Sequence, residues 1–233
     1  MVIKIRKASE HGKTVLDWLD SSHGFSFGEY YNQDNMNFGK LIVFNDDVVK
    51  AGTGFGAHSH DNAEIFSFVI EGALEHKDSK GNHGVVNEYE IQRISAGSGI
   101  THSEFNASKD KKVHFLQIWL KPRKLDVEPS YEQKSYKDLK GKRGIFKLIS
   151  GKSDKQLVYI DQDAEFYIAY LKKEIVKIDI RKGYGLYFYL LEGNIKIDNF
   201  SIEKGDSVEI KDVDNIEIRS LTNSKFVILN VPI

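Results

Sequence analysis

Short apolar or alternating segments recur from one end of this 233-residue chain to the other, with turn signals between them. KLIVF, EIFSFVI, VHFLQIWL, EFYIAYL, LYFYLLEG, NIEIRSL and FVILNVPI are rich in β-branched and aromatic residues, which suit a pleated, half-buried surface. DSKGN, SAGSG, IRKGYG and IEKGD fall between them and supply the residues that tight turns need. Long stretches of 3.6-residue period are scarce, and GKTVLDWLD alone predicts a short helix near the start. The expectation is an all-β chain whose evenly spaced strands close into sandwiches or barrels.

The length fits one large domain or two of about 100 residues. Two of the three prolines, Pro122 and Pro129, fall in the polar stretch KPRKLDVEPSYEQ. Proline lacks a backbone donor and resists a central ladder, so this stretch is the natural linker. The halves on either side repeat weakly: FSFVIEG ending at Gly72 is echoed by YFYLLEG ending at Gly193. The reading is two similar β-barrels in tandem, residues 1–125 and 126–233.

Composition excludes several chemistries. The chain has no cysteine, hence no disulfide, thiolate nucleophile or cysteine-ligated zinc or iron–sulfur centre. A net charge of −1 gives no electrostatic footprint for nucleic acid or an anionic membrane. MVIKIRKASEHGK lacks the apolar stretch of a signal peptide, and no run reaches membrane-spanning length, so the expected compartment is the cytoplasm.

Two clusters stand out. In GAHSHDNAEIFSFVIEG, His58, His60 and Glu64 take even positions, and in a regular strand they would share one face with Phe66 and Phe68. In SAGSGITHSEFN, His102, Glu104 and Asn106 again share parity after a glycine-rich turn. Facing a barrel interior, each polar group left without a partner would cost about 1–3 kcal/mol. A bound cation would satisfy them together, and three histidines with one carboxylate suit a first-row divalent metal. All eight histidines lie at or before position 114, so only the first barrel can carry an imidazole site. Counting back from Gly193, Asp179, Arg181 and Gly185 stand where His58, His60 and Glu64 stand before Gly72. His76, His83 and His114 read as structural, and the stripe around Tyr187 and Tyr189 reads as core.

The ordered set HGFSFGEYY (23–31), GFGAHSHDNAEIFSFVIEG (54–72), EHKDSKGNHG (75–84), SAGSGITHSE (95–104) and LQIWL (116–120) resembles the pirin family across nearly the whole chain. Ser59 stands where pirins often have proline, and Gly97 lies near the place of the proline in the general second cupin motif. Neither departure removes a ligand. The resemblance implies a bicupin, two jelly-roll barrels, with one divalent metal in the amino-terminal barrel held by His58, His60, His102 and Glu104. The metal is typically Fe(II), and the donors also suit Mn, Ni, Cu, Co or Zn. The general cupin pattern would make Glu64 the ligand; the pirin resemblance assigns that role to Glu104 and leaves Glu64 to orient a ligand or acidify pocket water.

Resemblance to bacterial quercetinase-like pirins implies a quercetin 2,3-dioxygenase reaction. A flavonol would meet the metal through its 3-hydroxyl oxygen, Glu104 would take the proton, and O2 would open the ring with loss of carbon monoxide. Phe55, Phe66, Phe68 and Phe105 are candidates for an apolar pocket wall. The alternatives are a metal- or redox-sensing regulatory protein with a protein partner and no turnover, or another cupin reaction such as isomerisation. The expected partners are a small aromatic substrate and O2, on a monomer.

Overall fold

The computed structural model describes residues 1–233, which form 22 strands and two single-turn 3-10 helices, Ala8–Glu10 and Lys137–Leu139. The strands make two seven-stranded and two four-stranded sheets. In the first barrel the large sheet runs Ser130–Ser135, Glu90–Ser95, Glu64–Glu71, Val113–Leu120, Leu41–Val49, Leu19–His23, Gly12–Val15. Its small sheet runs Gly54–His60, Ile100–Asn106, Ala73–Asp78, His83–Asn87. The second barrel repeats the plan: Val2–Arg6, Ser207–Lys211, Tyr184–Glu192, Asn223–Pro232, Glu165–Lys172, Gly144–Ser150, Val158–Tyr159 over Ile175–Asp179, Asn215–Ser220, Asn194–Ile197, Phe200–Glu203. FSFVIEG and YFYLLEG occupy the same place in the two plans, each ending on a glycine at positive φ (83° at Gly72, 88° at Gly193) before the next strand.

Strand pairing cuts across the division at residues 125 and 126. Val2–Arg6 pairs with Ser207–Lys211, so the amino terminus closes an edge of the second barrel. Ser130–Ser135, just past the proline-bearing stretch, pairs back onto Glu90–Ser95 of the first. GKTVLDWLD is not helical: Gly12–Val15 and Leu19–His23 form an antiparallel hairpin on the edge of the first large sheet. Ladder bonds to an existing sheet edge outweigh the weak helical propensity of so short a segment.

Both large sheets are buried on two faces. A 24-residue core joins the barrels back to back, with Phe44, Phe66, Phe68, Leu116 and Ile118 meeting Phe166, Ile168, Tyr187, Tyr189 and Leu229. The Phe166 ring packs edge-on against Phe66 and Phe68, at centroid distances of 5.2 and 5.9 Å. Gly185 lies under the Phe38 ring, where an added Cβ would come within 2.5 Å of it. The second barrel's interior is one 15-residue apolar cluster. The first barrel's is split into clusters of seven and five residues.

Because the barrels share a core, Phe166→Ala is expected to cost about 3–5 kcal/mol. Urea unfolding followed by tryptophan fluorescence, which reports only on Trp18 and Trp119 in the first barrel, should register that loss. An unchanged first-barrel transition would contradict the shared core.

Candidate metal centre

Between the two apolar clusters of the first barrel lies a polar layer that strand alternation builds. Ser67 sits between Ile65 and Val69, Gln117 between Phe115 and Trp119, and Gln92 two residues before Ile94. Their side chains converge on Glu104: Gln92 Nε2 donates to Oε1 and Gln117 Nε2 to Oε2, the latter at 2.8 Å, while Ser67 Oγ lies 3.2 Å from Oε1 and 2.9 Å from Gln117 Oε1, with one proton to share between them. Each carboxylate oxygen accepts two bonds, so Oε2 keeps one lone pair free.

The histidines stand beside this layer. His102 lies opposite His58 in the small-sheet ladder, and a register shift follows before Glu104. Ring centroids are 4.5 Å apart for His58 and His102, 4.7 Å for His58 and His60, and 4.9 Å for His60 and His102. One donor atom from each lies within 4.8 Å of the others. His58 Nδ1 donates to the Gly56 carbonyl at 2.8 Å, which leaves its Nε2 lone pair free. His60 Nε2 and both nitrogens of His102 are buried without a hydrogen-bond partner. Burial and the neighbouring imidazoles hold His60 down to about 4 and His102 to about 3. Both are neutral at neutral pH, the state a metal ligand requires. Orphaned, deprotonated and convergent, these donors fit a divalent cation.

Glu104 shares a cavity wall with His58 but is not part of the three-histidine cluster. Glu64 is elsewhere. Asp61–Ala63 separate the two strands, so parity does not carry from His60 to Glu64. With Phe66 and Phe68, Glu64 faces the second barrel, where its Oε2 accepts from Ser95 Oγ and the Asp161 backbone N–H, each at 3.0 Å. Burial raises its pKa. The expected role for Glu64 beside the metal is therefore replaced by a role at the barrel interface. Of the four phenylalanines, only Phe55 reaches the cavity; Phe66 and Phe68 lie in the shared core, and Phe105 is exposed.

The cavity, of about 340 Å³, is lined by Leu16, Leu19, Phe27, Phe55 and Trp119 along with its polar groups. Trp119 stands edge-on to His60 at 4.7 Å, and Phe27 edge-on to Trp119 at 5.6 Å. His76, read from sequence as structural, is buried behind His102: its ring lies 5.5 Å from that of His102, is bonded to Asp78 at 3.0 Å and stacks on Tyr131 at 4.6 Å. Ser67, Gln92 and Gln117 were missed, although a lone polar residue inside an apolar strand is a readable signal.

The second barrel is filled where the first is polar. Ile178 pairs with Ile216 on the two strands that correspond by sheet order to those of His58 and His102, and Ile216 and Ile218 are buried in its core. Asp179 and Arg181 do not occupy ligand positions: Asp179 is exposed, and Arg181 pairs with Asp163 over the Tyr184 ring. Tyr184–Glu192 is nine residues against eight in Glu64–Glu71, and the turn before it is longer, so a fixed offset from the glycine misplaces the match.

Known proteins are similar to this chain in sequence and fold. A family described as Pirin matches residues 4–120, and one described as Quercetinase C-terminal cupin domain matches residues 147–231. Quercetin 2,3-dioxygenase of Escherichia coli (strain K12) is 37% identical over 232 residues, 99% of each chain. The crystal structure of the bacterial pirin YhhW from Escherichia coli in complex with nickel(II) superposes with a TM-score of 0.94 at 36% identity, covering 99% of both chains. Quercetin 2,3-dioxygenase from Acinetobacter baumannii, at 17% identity and a TM-score of 0.79 over 95% of this chain and 85% of that one, shares the fold.

Two outcomes follow from the geometry. Elemental analysis is expected to find one divalent ion per chain, most of it lost in His58→Ala or His102→Ala. Protons compete for the same lone pairs, but His60 and His102 take them only near pH 4 and 3, so acid release should fall well below the ordinary imidazole value of about 6.5. A release midpoint at 6.5 or above would refute this. Glu64→Ala should keep full metal content while losing about 1–3 kcal/mol of stability, because it strips acceptors from Ser95 and Asp161 at the interface. Depletion of metal in that variant would return Glu64 to the site.

Proposed function

The chain belongs to the pirin family and is a bicupin, and from that premise we propose that it is a metal-dependent dioxygenase that opens the heterocyclic ring of flavonols such as quercetin. One observation carries the reading: three imidazoles converge beside an aromatic-lined cavity in the first barrel, with nitrogens of His60 and His102 buried and unpartnered. In this proposal His58, His60 and His102 hold the ion and Glu104 completes the set through the free lone pair on Oε2. Iron(II) is proposed as the native metal, and nickel(II), bound in the E. coli relative, suits the same donors. Bound there, the metal supplies Lewis acidity toward a substrate oxygen and the means of coupling it to O2.

The chain's own residues supply the rest. Phe27, Phe55, Trp119, Leu16 and Leu19 offer apolar faces to a flat ring system and displace water from it. Glu104, held by the amides of Gln92 and Gln117, would accept the proton of the flavonol 3-hydroxyl on the same Oε2 lone pair once the carboxylate has shifted off the ion. General-base assistance of this kind contributes about 10²–10⁴-fold. Ser67, Gln92 and Gln117 are positioning residues that keep the carboxylate aimed into the cavity.

Metal-loaded protein is expected to consume O2 and flavonol together and to release carbon monoxide, with turnover abolished under anaerobic conditions and in His102→Ala. Glu104→Gln should lower both metal affinity and turnover. Flavonol loss without oxygen uptake would indicate isomerisation. Fully loaded protein that consumes neither would point to a regulatory binding module.

A further inference from the structure

A basic cleft lies where the two barrels meet, and none of its residues lines the metal cavity. Two hollows, of about 370 and 560 Å³, share Tyr89 as a wall. The smaller takes Tyr170, Lys172, Glu192 and Lys225 from the second barrel, and Lys142 and Arg143 from the segment before Gly144–Ser150. The larger takes Glu71, Glu88, Lys111 and Lys112 from the first barrel, and Lys137 and Lys140 from the turn after Ser130–Ser135. Lys112, Lys137, Lys140 and Lys142 each pair with a carboxylate, at 3.1 to 3.8 Å. Lys111, Arg143 and Lys172 have no such partner, so a chain of net charge −1 concentrates positive charge here.

Lys225 is the buried anchor of the cleft. It stands in the sheet between Tyr170 and Glu192, with its side chain only 12% exposed. Its ion partner, Glu192 Oε1, is 4.0 Å away, beyond hydrogen-bond distance. The ammonium lies 5.7 Å from the centre of the Tyr89 ring and 5.8 Å from that of Tyr170, whose Oη is buried without a partner. The Lys140 ammonium lies 5.8 Å from the same Tyr89 ring, so Tyr89 links the two hollows. Tyr89 has φ 63°, a strained value for an aromatic residue, and its backbone is tied to Val69 and Tyr136.

We propose that this cleft binds a small molecule bearing a chain of two or more phosphates, which spans Tyr89 and meets Lys225 on one side and the lysines of the larger hollow on the other. The inference concerns a second site and stands apart from the dioxygenase reading. A buried ammonium with no close carboxylate is costly until an anion joins it. Burial lowers the Lys225 pKa, and Glu192 and Glu88 offset this only in part. The uncompensated charges of Lys111, Arg143 and Lys172 exceed what one carboxylate neutralises, whereas a di- or triphosphate carries charge to match. All but one of the cations are lysines, which serve phosphate as point charges without the fork geometry that arginine brings to carboxylates. Free polyphosphate and the tail of a nucleotide share this chemistry.

The test is calorimetry with tripolyphosphate, ATP and orthophosphate at fixed ionic strength. Full-length protein is used in metal-loaded and metal-free forms, because polyphosphates also chelate the ion. One tripolyphosphate per chain should bind in both forms, about tenfold or more tighter than orthophosphate. Lys225→Met keeps the buried stem and removes the charge; it should weaken tripolyphosphate by about tenfold, the loss of one charge-assisted hydrogen bond. Lys172→Gln, at the exposed rim, should cost about threefold and serves as the second variant, with melting temperature as the folding control for both. Lys204→Gln, at an exposed lysine outside the cleft, should leave binding unchanged. ATP binding tighter than tripolyphosphate assigns the cleft to a nucleotide, and ATP binding no tighter assigns it to free polyphosphate; both support the proposal. It is overturned if metal-free protein binds no tripolyphosphate, if orthophosphate binds equally well, or if Lys204→Gln loses as much as Lys225→Met. Polyglutamate binding tighter than tripolyphosphate would make the cleft an acidic-peptide surface and overturns it as well.

Discussion

Each large sheet is buried on both faces, and the rest of the structure depends on that constraint. In a strand with period two, odd and even residues then enter two different interiors. Along Tyr184–Glu192, Tyr187, Tyr189 and Leu191 pack into the core shared by the barrels, while Leu186, Phe188 and Leu190 fill the second barrel. Along Glu64–Glu71, Phe66 and Phe68 meet the other barrel, while Ile65, Ser67 and Val69 look inward. A one-residue change of register would exchange core for site. This is why the near-continuous apolar runs look alike in the two halves although only one half carries polar chemistry.

The difference between the barrels is concentrated in one layer. In the first, Ser67, Gln92, Gln117, Glu104 and His102 are nearly buried, and each takes a position that strand alternation turns inward. In the second, Ile178, Ile216 and Ile218 stand in the corresponding small-sheet strands. Isoleucine offers no lone pair, so the residues that make this core continuous cannot also serve as ligands. The second barrel repeats the architecture and packs against the first, and its interior is apolar.

The sequence made the β class, the tandem barrels and the histidine clusters legible, because those features depend on alternation, turn glycines and residue identity. It did not show that the terminal strand Val2–Arg6 pairs across to the second barrel, since long-range pairing leaves no local mark. Glu64 was misassigned for a related reason. Parity is meaningful only within one strand, and the turn at 61–63 resets it. The cavity wall formed by Ser21, His23, Asn45 and Asp47 lies on strands that come near the histidines only in three dimensions, and no spacing in the chain links it to them. Gln92 and Gln117 were within reach, as amides isolated in apolar strands, but what they donate to was not.

The polar layer carries a cost that the fold must offset. Nitrogens of His60, His76, His102 and Trp119 are buried without partners, and each such group costs about 1–3 kcal/mol relative to a satisfied one. They cluster beside the metal centre, where a cation would recover part of that cost and where packing cannot improve without filling the cavity. The compensation lies outside the barrel. The shared core and the contacts of Arg93 with Tyr159, Ser130 and Glu132 tie the polar barrel to segments beyond its own strands or to its closing strand. Glu64 belongs to the same seam through the Asp161 backbone. A barrel with an under-satisfied interior is thereby held in shape by an apolar neighbour.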